Sequence, residues 1–113
     1  EREIRLRRAL GSPPISELFA ITVSGLDEAA VLRCSTEIRS VLSSKLKGRE
    51  NTRVLGPAPA GILKVNNRYR YRLIVSAQNT KELRALIADI IIKYSKDKRF
   101  RGLSIFADIN PSD

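Results

Sequence analysis

Arginine alternates with tyrosine in the middle of the chain, and this pattern constrains the fold more than any other. From position 68 to 75 the chain reads RYRYRLIV. Successive side chains of a strand point to opposite faces, so three guanidinium groups share one face and two tyrosines with two aliphatic residues share the other. The spacing of Tyr69 and Tyr71 with these aliphatics favours core packing of the two rings over base stacking. The pattern predicts a strand with one cationic face and one core face.

Two long helices and three further segments of strand are predicted around this central strand. Apolar residues recur at helical spacing from an N-cap at Asp27 to about Leu46, and again after an N-cap at Thr80. Alternating patterns predict strands at 18–24 and 103–109. A fourth strand begins at 53–55, is interrupted by the stiff Gly/Pro segment 56–61 and resumes at 62–65, before a hairpin turn at 66–67. Residues 1–10 suit a short amphipathic helix.

This element order, βαββαβ after the short helix, predicts an α+β ferredoxin-like plait. In such a plait two helices cover one face of a four-stranded antiparallel sheet and leave the other face uncovered. All 113 residues fit one domain. On the uncovered face we expect Thr22, Arg68, Arg70, Arg72, Phe106 and Asp108. On the helix-covered face we expect Phe19, Ile21, Val23, Tyr69, Tyr71, Leu73, Val75, Leu103, Ile105, Ala107 and Ile109.

Composition favours a polyanion as the partner. Twenty-one Lys and Arg against 12 Asp and Glu give a net charge of +9, so binding to a polyanion should weaken as salt rises. No apolar run is long enough to span a bilayer and no signal peptide is recognisable, so we expect a cytoplasmic protein without membrane partners. Because position 1 is not methionine and the chain opens in a helical pattern, we expect a segment of a longer chain.

The sequence shows none of the residue combinations that common catalytic or metal sites require. Histidine is absent and Cys34 is the single cysteine, which excludes an internal disulfide, a multi-cysteine metal site and His-base chemistry. The Gly/Pro segment lacks the lysine of a phosphate-binding loop, and the late carboxylates Asp97, Asp108 and Asp113 have no complementary nucleophile or base. We therefore predict no catalytic residue, metal or cofactor in this segment.

The candidate binding residues are basic side chains with one exposed ring. Seven basic residues and one acid lie between positions 47 and 72. Arginine can form paired hydrogen bonds with phosphate, and an aromatic ring can stack on a base, which is a combination suited to single-stranded nucleic acid. Ordinary solvated charges, or pairing with another domain, are the alternative interpretation. The predicted phosphate contacts are Lys64, Arg68, Arg70 and Arg72, with Phe106 as the stacking residue.

A second candidate site lies where the second long helix begins. The amides and the dipole of a helix N-terminus favour anions. Lys81 and Arg84 stand in the first turns of this helix, so a phosphate or an acidic protein tail could dock there. A solvated helix face is the alternative interpretation of these two residues.

Three stretches resemble a known family. The segments ALGSPPISELFAITVSGLDE, VLGPAPAGILKVNNRYRYRLIV and FADINP resemble the C-terminal domain of the primosomal protein N-prime (PriA) family of bacterial replication-restart helicases. The resemblance spans nearly the whole chain, and GPAPA with RYRY is its most specific part. Departures from the family pattern stand at Ile15, Gly61, Asn66–Asn67 and Ile109–Asn110.

The resemblance implies a plait like that of a small-subunit ribosomal protein. It also implies a C-terminal domain that helps a helicase to bind single-stranded or branched fork DNA. Single-stranded DNA-binding protein and other primosome proteins are further partners that it implies. ATP and zinc are implied for upstream parts of such a helicase and not for this segment.

Three other functions remain open at this point. The plait could act as a structural brace whose arginines pair with the helicase lobes of the parent chain. It could bind RNA, as related plaits do. An acylphosphatase-like enzyme on the same plait is the most remote option.

Overall fold

The structure is a computed structural model that describes residues 17–49, 52–65 and 68–109, and within β2 the side chains only as far as Pro59. Its elements are β1 (Glu17–Gly25), α1 (Glu28–Lys45), β2 (Arg53–Val65), β3 (Arg68–Ala77), α2 (Lys81–Ser95), a 3-10 turn (Lys98–Phe100) and β4 (Ser104–Ile109). The short helix predicted for 1–10 and the turn at 66–67 lie outside the described residues.

The four strands form one antiparallel sheet in the order β2-β3-β1-β4. With two helices and this strand order, the predicted ferredoxin-like plait is confirmed. The two central strands are β1 and β3, and β4 is an edge strand. The RYRYR segment therefore lies in the middle of the sheet, beside β1.

Both long helices begin where their capping residues predict. The Asp27 side chain accepts a hydrogen bond from the amide of Ala29 at 3.1 Å, and Thr80 Oγ1 accepts one from the amide of Leu83 at 3.1 Å. Each cap satisfies an amide that has no partner inside the helix. Among the described residues, no helix is both long and apolar enough to cross a membrane.

The core lies between the sheet and the two helices. Tyr71 is buried in it and Tyr69 packs against it, so the predicted core role of the two tyrosines is confirmed. Register pairs Tyr71 with Val23, and Leu73 with Ile21, which puts all four on the helix-covered face. The remaining buried apolar residues include Phe19, Val75, Val31, Cys34, Ile38, Leu42, Leu83, Ile87, Ile90 and Tyr94.

The Gly/Pro segment bends β2 without ending it. Strand β2 is continuous from Arg53 to Val65, and its register against β3 shifts between Leu55 and Ala58 and again between Pro59 and Lys64. Gly56 has a φ of +98°, and a Cβ there would lie 2.7 Å from the carbonyl oxygen of Arg72. The predicted interruption is thus a bulge, because positive φ and the missing proline N–H disturb the ladder while the chain stays beside β3.

The last strand is less buried than its pattern predicts. Ile105 packs partly against the core, but Ala107 and Ile109 are exposed, although register places them on the helix-covered face. They line an open groove of about 450 Å³ between β4 and α2, together with Ile87 and Ile91. The alternation gives the correct face, whereas the open groove between α2 and β4 leaves the end of the strand exposed.

A buried ring in the basic stretch after α2 was not predicted. Phe100 is buried in the core, with its ring centroid 6.0 Å from that of Tyr94. The guanidinium carbon of Arg99 lies 4.8 Å from the Phe100 ring centroid, and Arg99 forms ion pairs with Glu37 at 2.9 Å and Asp97 at 2.8 Å. This cluster fastens the 3-10 turn to α1.

Candidate nucleic-acid interface

The sheet face away from α1 and α2, which we call the open face, carries the residues predicted for it. Cross-strand pairing places Thr22 between Arg72 on β3 and Phe106 on β4. Because directly opposed residues project to the same face, these three residues form one row across the sheet. Arg70 lies in the next row, opposite Ser24, and Asp108 lies opposite Ala20. Among the described elements, neither helix packs on this face.

Arg68 is held by the fold. Its Nε donates to Ser24 Oγ at 3.1 Å and its NH2 group donates to the Ser24 carbonyl at 3.1 Å. The same NH2 group lies 3.4 Å from the carbonyl oxygen of Gly102 and 3.3 Å from Ser104 Oγ. The guanidinium thus links β3 to β1 and to the beginning of β4. Such a network positions Arg68 at the margin of the open face and occupies donors that a phosphate would need.

Arg70 and Arg53 are better placed to meet a ligand. Arg70 is half-buried, and no hydrogen bond or ion pair joins it to another described residue. Arg53 is exposed on β2 opposite Ser76, on the same face. Arg72 lies between them along the sheet and is half-buried. Arg53 and the two arginines of β3 therefore share one face, spread along β3 from Arg70 to Ser76, the partner of Arg53, which suits a chain of phosphates.

Exposed apolar side chains lie among these arginines. Phe106 is 43% exposed and Leu55 is 53% exposed, and pairing places Leu55 opposite Ile74 on the open face. Leu18, 44% exposed, lies opposite Ser76 on the same face. A surface that combines guanidinium groups with exposed apolar side chains and a ring offers contacts to both phosphates and bases.

Lys64 is located by its backbone alone. It pairs with Tyr69 in the second part of β2, and its side chain lies outside the described part of the structure. Its predicted phosphate contact stays a prediction. The bulge in β2 separates it in register from Arg53 and Leu55.

The candidate site at the start of α2 is exposed and already has internal contacts. Lys81 and Arg84 are both exposed, and Arg84 donates to Asn79 Oδ1, while Asn79 donates to Glu17 at 2.8 Å. Glu82 adds a negative charge to the same helical turn. Arg84 also lines one end of the apolar groove between α2 and β4. The start of α2 therefore combines two exposed basic side chains with one end of an apolar groove.

Burial and hydrogen bonding raise the pKa of two described side chains of the core. Burial raises the pKa of Cys34 to about 12, so this thiol is a poor nucleophile. The hydrogen bond that Tyr71 donates to Glu28, at 2.6 Å, raises the pKa of Tyr71. Within the described ranges no three His, Cys, Asp or Glu residues are grouped as metal ligands.

Sequence reasoning missed part of the open face. Arg53 and Leu55 belong to it, but the Gly/Pro segment concealed how the first part of β2 continues the sheet. Val54 and its two neighbours are the part of the sequence that could have indicated this strand, but three residues are too few to fix the register of β2 against β3. The anchoring of Arg68 depends on Ser24 and on the turn before β4, which no local pattern connects.

The geometry defines a class of protein: an α+β plait with a basic, partly apolar open face. Comparison with known families then identifies the family. The model of the Primosomal protein N C-terminal domain matches residues 8–112, so the chain belongs to this family. The resemblance seen in the sequence is thereby confirmed.

Relatives named as replication restart protein PriA align with most of this chain. Replication restart protein PriA of Bacillus subtilis is 27% identical over 111 residues, which is 98% of this chain. The probable replication restart protein PriA of Deinococcus radiodurans is 30% identical over 96% of the chain, and that of Rickettsia typhi is 31% identical over 66%. The aligned region makes up 14% of the Bacillus protein and 11% of each of the other two.

Proposed function

We propose that this chain is a non-catalytic DNA-binding domain of a cytoplasmic replication-restart helicase, and that its open face binds single-stranded or fork DNA. The observation that carries the proposal is the row of Arg72, Thr22 and Phe106, flanked by Arg70 and Arg53. It places charges for phosphates beside a ring for a base. Membership of the family supports the link to replication restart and to other primosome proteins.

Within this surface the arginines have different roles. Arg70 and Arg53 contact phosphates, with Arg72 between them, and Phe106 stacks on a base. Arg68 shapes the surface through its hydrogen bonds to Ser24 and the turn before β4. Lys64 pairs with Tyr69, a residue of the helix-covered face, so we propose no role on the open face for it. ATP and zinc belong to the parent helicase and not to this domain.

Salt-dependent binding tests the proposal. Labelled single-stranded and fork DNA are titrated with wild type, Arg70→Ala and Arg39→Ala at several salt concentrations, with fluorescence anisotropy as the readout. Arg39 is exposed on α1, so this control removes the same charge from the helix layer. Arg70→Ala should weaken binding several-fold and reduce the salt slope on single strands by about 0.7, the share of one phosphate contact. Equal effects of the two substitutions would refute the open face as the binding surface, and preference for RNA of matched sequence would favour the RNA-binding alternative.

A protein contact is the second candidate function. The apolar groove between α2 and β4, with Arg84 at its end and Lys81 nearby, favours an acidic tail such as that of single-stranded DNA-binding protein. The exposed Ile109 and Leu55 favour instead packing against helicase lobes, and the relatives are long enough to supply such lobes. Calorimetric titration with an acidic peptide that carries an apolar residue separates these partners, because Arg84→Ala should weaken peptide binding and leave a brace intact.

A further inference from the structure

The hydroxyl of Thr22 is buried at the centre of the open face. Thr22 is 1% exposed, and its Oγ1 has no hydrogen-bond partner among the residues that the structure describes. Buried hydroxyl groups nearly always have a partner, since leaving one unsatisfied lowers stability. Valine has nearly the same shape and a higher preference for a buried strand, so packing alone does not explain a threonine here.

The position of this hydroxyl points to a ligand. Its cross-strand neighbours on the open face are Arg72 and Phe106, and the Nε of Arg72 is buried in the same row. Neighbouring strands lie about 4.8 Å apart, so the backbones of these two neighbours are separated by about 10 Å. A nucleotide whose base stacks on Phe106 and whose phosphate meets the arginines spans this distance. The edge of its base then passes over Thr22.

We propose that Thr22 is a base-contacting residue, whose hydroxyl forms a hydrogen bond with the edge of a nucleobase stacked on Phe106. This inference rests on the proposed binding of nucleic acid to the open face and adds a subsite to it. A hydroxyl can donate or accept, so it can satisfy a carbonyl oxygen, a ring nitrogen or an amino group and tolerates different bases. Phe106, 43% exposed on an edge strand, can change rotamer to admit the base.

The substitution Thr22→Val tests this role because it removes the hydroxyl and keeps the branched shape. Without ligand, Thr22→Val should unfold at the same temperature as wild type or higher, since a buried unsatisfied group is lost. Its affinity for a labelled oligothymidine should fall about three- to tenfold, the equivalent of one hydrogen bond. For an oligomer of abasic sites with the same length, the affinities of wild type and variant should be equal. Thr36→Val, at an exposed position of α1, is the matched control and should change neither affinity.

The outcomes separate this inference from the proposed function. Unchanged affinity of Thr22→Val for oligothymidine, or an equal loss on the abasic oligomer, would overturn the base contact even if Arg70→Ala weakens binding. A large fall in the unfolding temperature of Thr22→Val would also overturn it, because the hydroxyl would then stabilise the fold. If wild type binds neither oligomer, both the base contact and the proposed function are wrong.

Discussion

Arg68 on β3 and Ser24 on β1 are joined by two hydrogen bonds, one to the serine hydroxyl and one to its carbonyl oxygen, each of 3.1 Å. The first arginine of the RYRYR segment is therefore part of the framework, although it resembles its two neighbours in sequence. Arg70, two residues further on, is half-buried and has no such contacts with the described residues.

This difference predicts unequal effects of two arginine substitutions on stability. Arg68→Ala leaves Ser24 Oγ and the turn before β4 without their donor, so the free energy of unfolding should fall by about 1–3 kcal/mol. Arg70→Ala should change it by less than about 0.5 kcal/mol, as surface substitutions usually do. Urea unfolding followed by circular dichroism measures both values. Equal destabilisation by the two substitutions would show that the network around Arg68 contributes nothing.

Most of the fold could be predicted from the sequence because the patterns that specify it are local. The caps at Asp27 and Thr80, the helical periodicity and the alternation in β1 and β3 are each encoded within a few residues, and each was confirmed. The open-face row of Thr22, Arg72 and Phe106 follows from that alternation once the strand order is known.

What the sequence did not predict depends on contacts between distant segments. The Phe100 ring lies in the core, and its neighbour Arg99 pairs with Glu37 of α1, a contact that no local pattern reveals in a basic stretch. The anchoring of Arg68 and the continuity of β2 past Gly56 likewise depend on the neighbouring strand. The assignment of phosphate contacts among the arginines remains a prediction.

The bulge in β2 should tolerate only glycine at position 56. Gly56→Ala introduces a Cβ at a φ of +98° and 2.7 Å from the Arg72 carbonyl oxygen, so both backbone strain and a clash oppose it. Gly48→Ala is the matched control, with a φ of +85° and no atom within 4 Å of the added Cβ. The control should lose about 1 kcal/mol from its positive φ alone. Thermal unfolding should show a clearly larger loss for Gly56→Ala, and equal losses would mean that β3 moves aside without cost.

Acid should weaken the cluster that holds the 3-10 turn to α1. Hydrogen bonds from Arg99 lower the pKa of Asp97, so its carboxylate contributes stability above its ordinary pKa of about 3.9, and this is lost as pH falls through the lower folded-state pKa. Asp97→Asn keeps an oxygen to accept from the amide of Arg99 and removes the charge. When the pH is lowered below about 4, the unfolding temperature of this variant should therefore fall by less than that of wild type. Asp89→Asn, exposed on α2, is the control and should follow wild type.

The Phe106 ring should contribute to binding and little to stability. Phe106→Leu removes the stacking surface of a side chain that is 43% exposed. The binding free energy for oligothymidine should therefore weaken by about 1–3 kcal/mol, the usual contribution of one stacked base. The midpoint of urea unfolding should stay close to that of wild type. Leu26→Ala, at an exposed position in the turn before α1, is the control and should leave the affinity for oligothymidine unchanged. Unaltered binding by Phe106→Leu would remove the ring from the interface.

Methyl NMR during titration with oligothymidine tests the central claim most directly, because exposed or partly exposed methyl groups mark both sides of the molecule. Leu18, Leu55 and Ile74 report on the open face, whereas Leu32 on α1 and Ile92 on α2 report on the helix layer. We expect shifts that saturate with ligand in the first three residues, reverse with added salt and are absent from the other two. Shifts confined to Leu32 and Ile92, with the open-face methyl groups unchanged, would contradict the account.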